Sequence, residues 1–171
     1  MQLIIRLRKQ TERSMTLPFA KLKEGENIRL SPFVVEKLKV IAAAYRTATG
    51  KSITITDGNR TAAEQAFLMI PQIEKGKIHL YTQKQAAPEV KKVYDAGIAA
   101  RKPKYQIVQD IAKVIQNQIN NGVFISRHLR DKGADIRFSD MSSAERKVFS
   151  QIVIKNGGDP LIEDDHFHLQ F

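Results

Sequence analysis

Cysteine and tryptophan are both absent from the 171 residues, and aromatic side chains make up only 7% of them. Without a thiol there can be no disulfide framework and no cysteine nucleophile, so redox chemistry does not fix the compartment. No run approaches the 18 or more apolar residues of a membrane span, so no transmembrane segment is expected. No serine lies in a strand-to-helix nucleophile-elbow motif, which removes the usual serine hydrolase. Internal repeats and low-complexity tracts are missing too. At its start, Met1-Gln2-Leu3-Ile4-Ile5-Arg6-Leu7-Arg8-Lys9 places charge after a very short apolar run, the reverse of a secretory leader.

What is present in excess is positive charge, 28 Lys and Arg against 18 Asp and Glu for a formal net charge of +10. A basic balance favours polyanionic partners. With aromatics sparse and no nucleic-acid motif in sight, a specific nucleic-acid partner is not expected. At this length the chain suits a single domain over 1–171, large enough to bury about 70% of the surface its unfolded form exposes.

Residues 1–30 read as a basic, irregular N-terminal segment with one short strand at Leu3 to Leu7. Ser31-Pro32 supplies an N-cap and a first-turn proline, and Val34, Val35, Leu38, Ile41, Ala42 and Tyr45 recur at helical spacing up to Gly50. Ser52 to Thr56 alternates as a strand, and Ala62 to Lys75 reads as a helix interrupted near Pro71. Residues 76–125 read as a helical insertion, a lid or flank with helices at about 88–100 and 104–121. The apolar stripe of the second is Val108, Ile111, Ala112, Ile115 and Ile119, with Gly122 as its cap. Ser142-x-x-Glu145 is a capping box that opens a last helix to about Asn156, and Gly157-Gly158 turns the chain into the final strands. The expected fold is α+β, a small antiparallel sheet flanked by helices.

Only four histidines occur, and three of them, His128, His166 and His168, lie near acidic residues in the last third of the chain. A catalytic zinc takes three protein ligands of imidazole or carboxylate type and keeps one position open. His128, Asp135 and one of His166 or His168 would supply that set. His166, His168 and Gln170 alternate with Phe167, Leu169 and Phe171, so both imidazoles should leave one face of a strand. Asp135 alternates with Ile136 and Phe138 in the same way. Two such strands side by side, with His128 reaching over from the preceding loop, would bring the ligands together. The plain alternative is a solvated acidic tail with incidental histidines. Against it, residues 159–171 hold no Lys or Arg in a strongly basic chain, and a cation would offset the repulsion among the carboxylates.

Ser126-x-His128, Asp135 seven residues after the histidine, and an acid shortly before a strand histidine together resemble the zinc D-alanyl-D-alanine carboxypeptidase and dipeptidase family. That family shares its fold with the zinc lobe of hedgehog proteins and with murein endopeptidases. Upstream, Ile55-Thr56-Asp57-Gly58-Asn59-Arg60-Thr61 leading into Glu64-Gln65 is similar to the family's strand, glycine turn and arginine before a helix. The resemblance runs over roughly residues 31 to 171.

It implies one Zn2+ held by His128, Asp135 and a third histidine. One alignment makes His166 the ligand and Glu163 the base. The other, favoured here, makes His168 the ligand, His166 a catalytic histidine, and Asp165 or Glu163 the acid-base group. Arg60 would steady the developing oxyanion and Ser126 would line the substrate side. The implied reaction is hydrolysis of peptide bonds in peptidoglycan stem peptides by metal-activated water, as a D,D-carboxypeptidase or an endopeptidase. The substrate would then be peptidoglycan or a muropeptide and the protein a monomer. It would be made in the cytoplasm and act at the periplasm or cell wall after phage or secretory delivery. The loop between His128 and Asp135 departs from the pattern: Asp131 and Gly133 stand where the family usually has glycine and alanine. A non-catalytic zinc-binding module, or a basic binding protein, is the competing expectation.

Overall fold

The computed structural model describes residues 17–25, 27–81, 86–163 and 165–171. The expected strand at Leu3 to Leu7 lies outside the described residues. Among the described residues the architecture is α+β, five helices of three turns or more around one five-stranded sheet.

The strands are β1 (Ala20–Leu22), β2 (Ile53–Asp57), β3 (Gly133–Arg137), β4 (Asp159–Ile162) and β5 (His166–Gln170). They lie in the order β1-β2-β3-β5-β4. The expected small sheet flanked by helices is present, and one of its pairs departs from antiparallel: β1 pairs parallel to β2. The remaining pairs are antiparallel. The sheet thus gains an edge strand from the N-terminal segment that the sequence pattern left irregular. A three-residue strand with one half-buried and two exposed positions has too little alternation to be read from sequence.

Helix α1 (Pro32–Thr49) begins where the proline and Ser31 predict, with the Ser31 hydroxyl accepting from Val34 N and Gly50 closing the helix at φ 73°. Its face of Val34, Leu38, Ile41, Ala42 and Tyr45 packs with Phe149 and Val153 of α5 (Ser143–Lys155) against Ile53, Ile55, Ala134, Ile136, Phe167 and Leu169. This core covers one face of the sheet. Because strand side chains alternate, it forces Asp135 and His168 onto the other.

A second apolar cluster joins α2 (Ala62–Glu74) to α3 (Ala86–Ala99) and α4 (Lys104–Asn120). Helix α2 is not interrupted at Pro71 as expected but runs through it to Glu74. The proline deprives only the Phe67 carbonyl of its partner, and Phe67 is 62% exposed, where water can serve instead. The buried stripe of α4 is centred on Ile107, Ile111, Ile115 and Gln118, with Val108, Ala112 and Ile119 on its flank. The capping boxes at Thr61/Glu64 and Ser142/Glu145 both form.

Candidate metal centre

Asp135 and His168 occupy the middles of β3 and β5 and are register partners, directly opposite each other on the face away from the core. His128 sits in a short 3-10 turn, Arg127–Arg130, just before β3. Ser126 caps that turn, its hydroxyl accepting from His128 N at 3.3 Å. Gly133 lets the turn fold back onto β3, since a Cβ there would lie 3.0 Å from His128 N and 3.3 Å from its Cγ. At the turn's end Asp131 takes a left-handed φ of 58°, one of the few side chains that tolerates the role glycine usually plays.

Three ligand atoms converge. His128 Nε2 lies 3.1 Å from Asp135 Oδ1 and 3.0 Å from His168 Nδ1, and His168 Nδ1 lies 2.8 Å from the same oxygen. Tetrahedral coordination with bonds of about 2.0–2.1 Å sets ligand atoms roughly 3.3 Å apart, so the triangle fits a small divalent ion with little adjustment. The donor chemistry fits as well. His128 Nδ1 donates to the Gly58 carbonyl, which in the neutral ring leaves Nε2 as a lone pair facing a carboxylate oxygen and a second imidazole. All three residues are buried, with His128 1% exposed, Asp135 4% and His168 8%. This buried group could hold a metal ion.

Arg60 braces the carboxylate from β2's end of the sheet. Its NH2 contacts Asp135 Oδ2 at 3.1 Å and Asp57 Oδ2 at 2.7 Å, its Nε donates to Asp57 Oδ2 at 2.9 Å, and its NH1 donates to Gln65 Oε1 at 3.2 Å. Burial opposes ionisation of Asp135, yet the imidazoles of His128 and His168 at its oxygen and the Arg60 charge hold its carboxyl well below the usual carboxylate range.

His166 lies outside the triangle. Its Nε2 is 3.6 Å from Asp135 Oδ2 and 3.4 Å from Glu163 Oε2, while its Nδ1 is 2.7 Å from Asp165 Oδ1. Burial works against its charge, but hydrogen bonding to Glu163 and the nearby Asp135 and Asp165 carboxylates push its pKa up to about 9. Of the two candidates, His168 is the one the geometry groups with His128 and Asp135. Glu163 faces the Nε2 side of His166, toward Asp135, and the hydrogen bond to His166 keeps it below the usual glutamate range in spite of partial burial. Asp165 takes the opposite side of the ring, with its side chain 85% exposed.

Three neighbours had no role assigned from sequence. Asp57 and Gln65 both stood inside a motif that had been read only for its arginine, and both turn out to hold that arginine. Gln65 is fully buried. Tyr81, at the end of the 3-10 turn Lys77–Leu80, carries no sequence signal, yet it lies within electrostatic reach of both Arg60 and Glu163.

No family model, curated protein or solved structure matches the chain, so the functional reading rests on the geometry and on the motif resemblance.

Proposed function

We propose that the protein is a zinc-dependent metallopeptidase of the D-alanyl-D-alanine carboxypeptidase type, hydrolysing peptide bonds in the stem peptides of peptidoglycan. The observation that carries this reading is the convergence of His128, Asp135 and His168 on one point, with a charged arginine behind and an ionised glutamate beside it. The chemistry a bound zinc supplies is Lewis acidity, which ionises water near pH 7 and polarises an amide carbonyl.

The chain's own residues divide the rest. His128, Asp135 and His168 would hold the ion, and Arg60 fixes the Asp135 carboxylate through a charge-assisted bond. Glu163, ionised and exposed to the cleft on one side, takes a proton from water and returns it to the leaving amine, a role worth about 10²- to 10⁴-fold. His166 is a positive charge beside that glutamate. Asp165, on the far side of His166, is assigned to holding the ring rather than to acid-base work. Ser126 acts by capping the turn that carries His128. The basic surface favours a substrate rich in carboxylates and phosphates, and action at the cell wall follows from that substrate. Among the described residues no helix is long and apolar enough to cross a membrane.

A non-catalytic metal module is favoured by one feature: the Arg60 guanidinium is already engaged by the protein's own Asp57, Asp135 and Gln65. Mass spectrometry of peptidoglycan digests, with and without chelator, separates the two. Chelator-sensitive loss of terminal D-alanine marks a carboxypeptidase, and cleavage within a stem or cross-link marks an endopeptidase. Zinc bound at one equivalent with no amine released, and with Glu163→Ala and Asp165→Ala leaving the biological effect intact, supports the module.

A further inference from the structure

We infer that the groove between helix α2 and residues 23–29 binds an uncharged, apolar side chain of a peptide lying at the metal centre, and that Phe67 is the residue that selects it. The identity of the peptide as a substrate rests on the peptidase reading. The groove itself does not.

The groove has a volume of about 580 Å3, a size suited to a ligand of a few residues. It adjoins the metal triangle through two of its own lining residues, both of which hold Asp135. Arg60 NH2 lies 3.1 Å from Asp135 Oδ2, and the Thr56 hydroxyl donates to the Asp135 carbonyl oxygen at 3.3 Å. An extended chain advances about 3.3 Å per residue, so a peptide with one carbonyl at the ion carries a neighbouring side chain to the groove.

Its walls are fixed by the fold. Lys23 N donates to Ile55 O at 2.8 Å and Asn59 N to Arg29 O at 2.6 Å, and the Arg29 guanidinium bonds Glu64 in the first turn of α2. Gly58 permits this close approach, since a Cβ there would strike the Arg29 carbonyl. The irregular stretch before α1 thus acquires a task, as one wall of a binding groove.

The lining decides the chemistry of the ligand. Arg29 pairs with Glu64, and Arg60 pairs with both Asp57 and Asp135, so with Lys23 included the cations and carboxylates at the groove balance. A charged side chain entering it would shed water without meeting an unanswered opposite charge. Apolar surface, by contrast, is waiting to be covered. Phe67 is 62% exposed and Leu68 40%, and both share the lining with Ile28 and Ala63. Covering such surface with an aliphatic or aromatic side chain is favourable whatever the rest of the ligand.

The test uses the full chain loaded with Co2+ and NMR titration with three blocked peptides, acetyl-leucyl-alaninamide and its glutamyl and lysyl counterparts. The leucyl peptide is expected to bind about tenfold more tightly than either charged one, the gain from burying one apolar side chain. Phe67→Ala is expected to keep one equivalent of cobalt and lose that preference, and Phe67→Leu to keep most of it. Tyr105→Ala, equally exposed but outside the groove, is expected to match the parent. No binding by the parent, equal affinity for the three peptides, a leucyl affinity within twofold of the parent in Phe67→Ala, or an equal loss in Tyr105→Ala overturns the proposal. Muropeptide turnover is read in parallel. If no amine is released while the Phe67-dependent preference persists, the peptidase reading fails and the groove stands as a peptide-binding site; turnover with KM unmoved in Phe67→Ala overturns the groove alone.

Discussion

Replacing Asp135 by Asn probes the metal centre at its most connected atom. Asp135 Oδ1 is 3.1 Å from His128 Nε2 and 2.8 Å from His168 Nδ1, and its other oxygen is 3.1 Å from Arg60 NH2. Asparagine preserves the shape and can still accept from Arg60, which also keeps Asp57, so the fold should survive. What disappears is the only anion among the three ligands. If about 10–16 kcal/mol of zinc binding is shared among three ligands, losing one removes roughly 3–5 kcal/mol, or two to four decades in affinity.

The same number fixes a thermal readout. Free zinc at about a thousand times its dissociation constant stabilises the folded form by about 4 kcal/mol. At roughly 2–4 °C per kcal/mol for a domain of this size, chelation should lower the parent Tm by about 8–16 °C and that of Asp135→Asn by no more than about 3–6 °C. Competition titration with a chromophoric chelator and paired melting curves with and without EDTA give both quantities. A variant that bound zinc with parental affinity and kept its EDTA-sensitive melting step would refute the argument, because the ion would then be held elsewhere.

Four further outcomes follow from the same geometry. His168→Ala should lose the metal while His166→Ala keeps it, and elemental analysis after dialysis would expose the opposite pattern at once. Glu163→Gln should retain one zinc and lose about 10²- to 10⁴-fold in kcat, whereas Asp165→Asn, on the outer side of the ring, should change kcat by less than about threefold. Arg60→Lys keeps a charge but cannot reach Asp57, Asp135 and Gln65 together, so zinc affinity should fall about 10- to 100-fold, measurable by the same chelator competition. Gly58→Ala places a Cβ against the Arg29 carbonyl oxygen and 2.8 Å from Leu30 Cδ2, and it displaces the carbonyl that orients His128. Chemical denaturation should show a loss of roughly 2–4 kcal/mol, and an unchanged midpoint would contradict the tight contact.

Much of the framework was legible in the residue pattern. Ser31-Pro32 and Gly50 bracket α1, and the Ser142/Glu145 capping box marks the start of α5, because each is a local arrangement complete within a few residues. Period-two alternation around Asp135 and around His166 to Gln170 was enough to orient those strands. It works because the pleat sends neighbouring side chains to opposite faces and one face is greasy. The continuation of α2 through Pro71 was not legible, since it depends on whether the Phe67 carbonyl faces water. Nor was the parallel pairing of β1, which a short strand takes from its neighbour rather than from its own sequence.

At the metal centre the sequence by itself determined the ligand types and a choice between two histidines. Only tertiary structure made the choice, by setting Asp135 opposite His168 in register and leaving His166 between Glu163 and Asp165. It alone tied Asp57 and Gln65 to Arg60. The physical reason is range: caps and strand parity are local properties of a few consecutive residues. Strand register and the meeting of side chains dozens of positions apart are fixed by how the apolar core packs the strands and helices together.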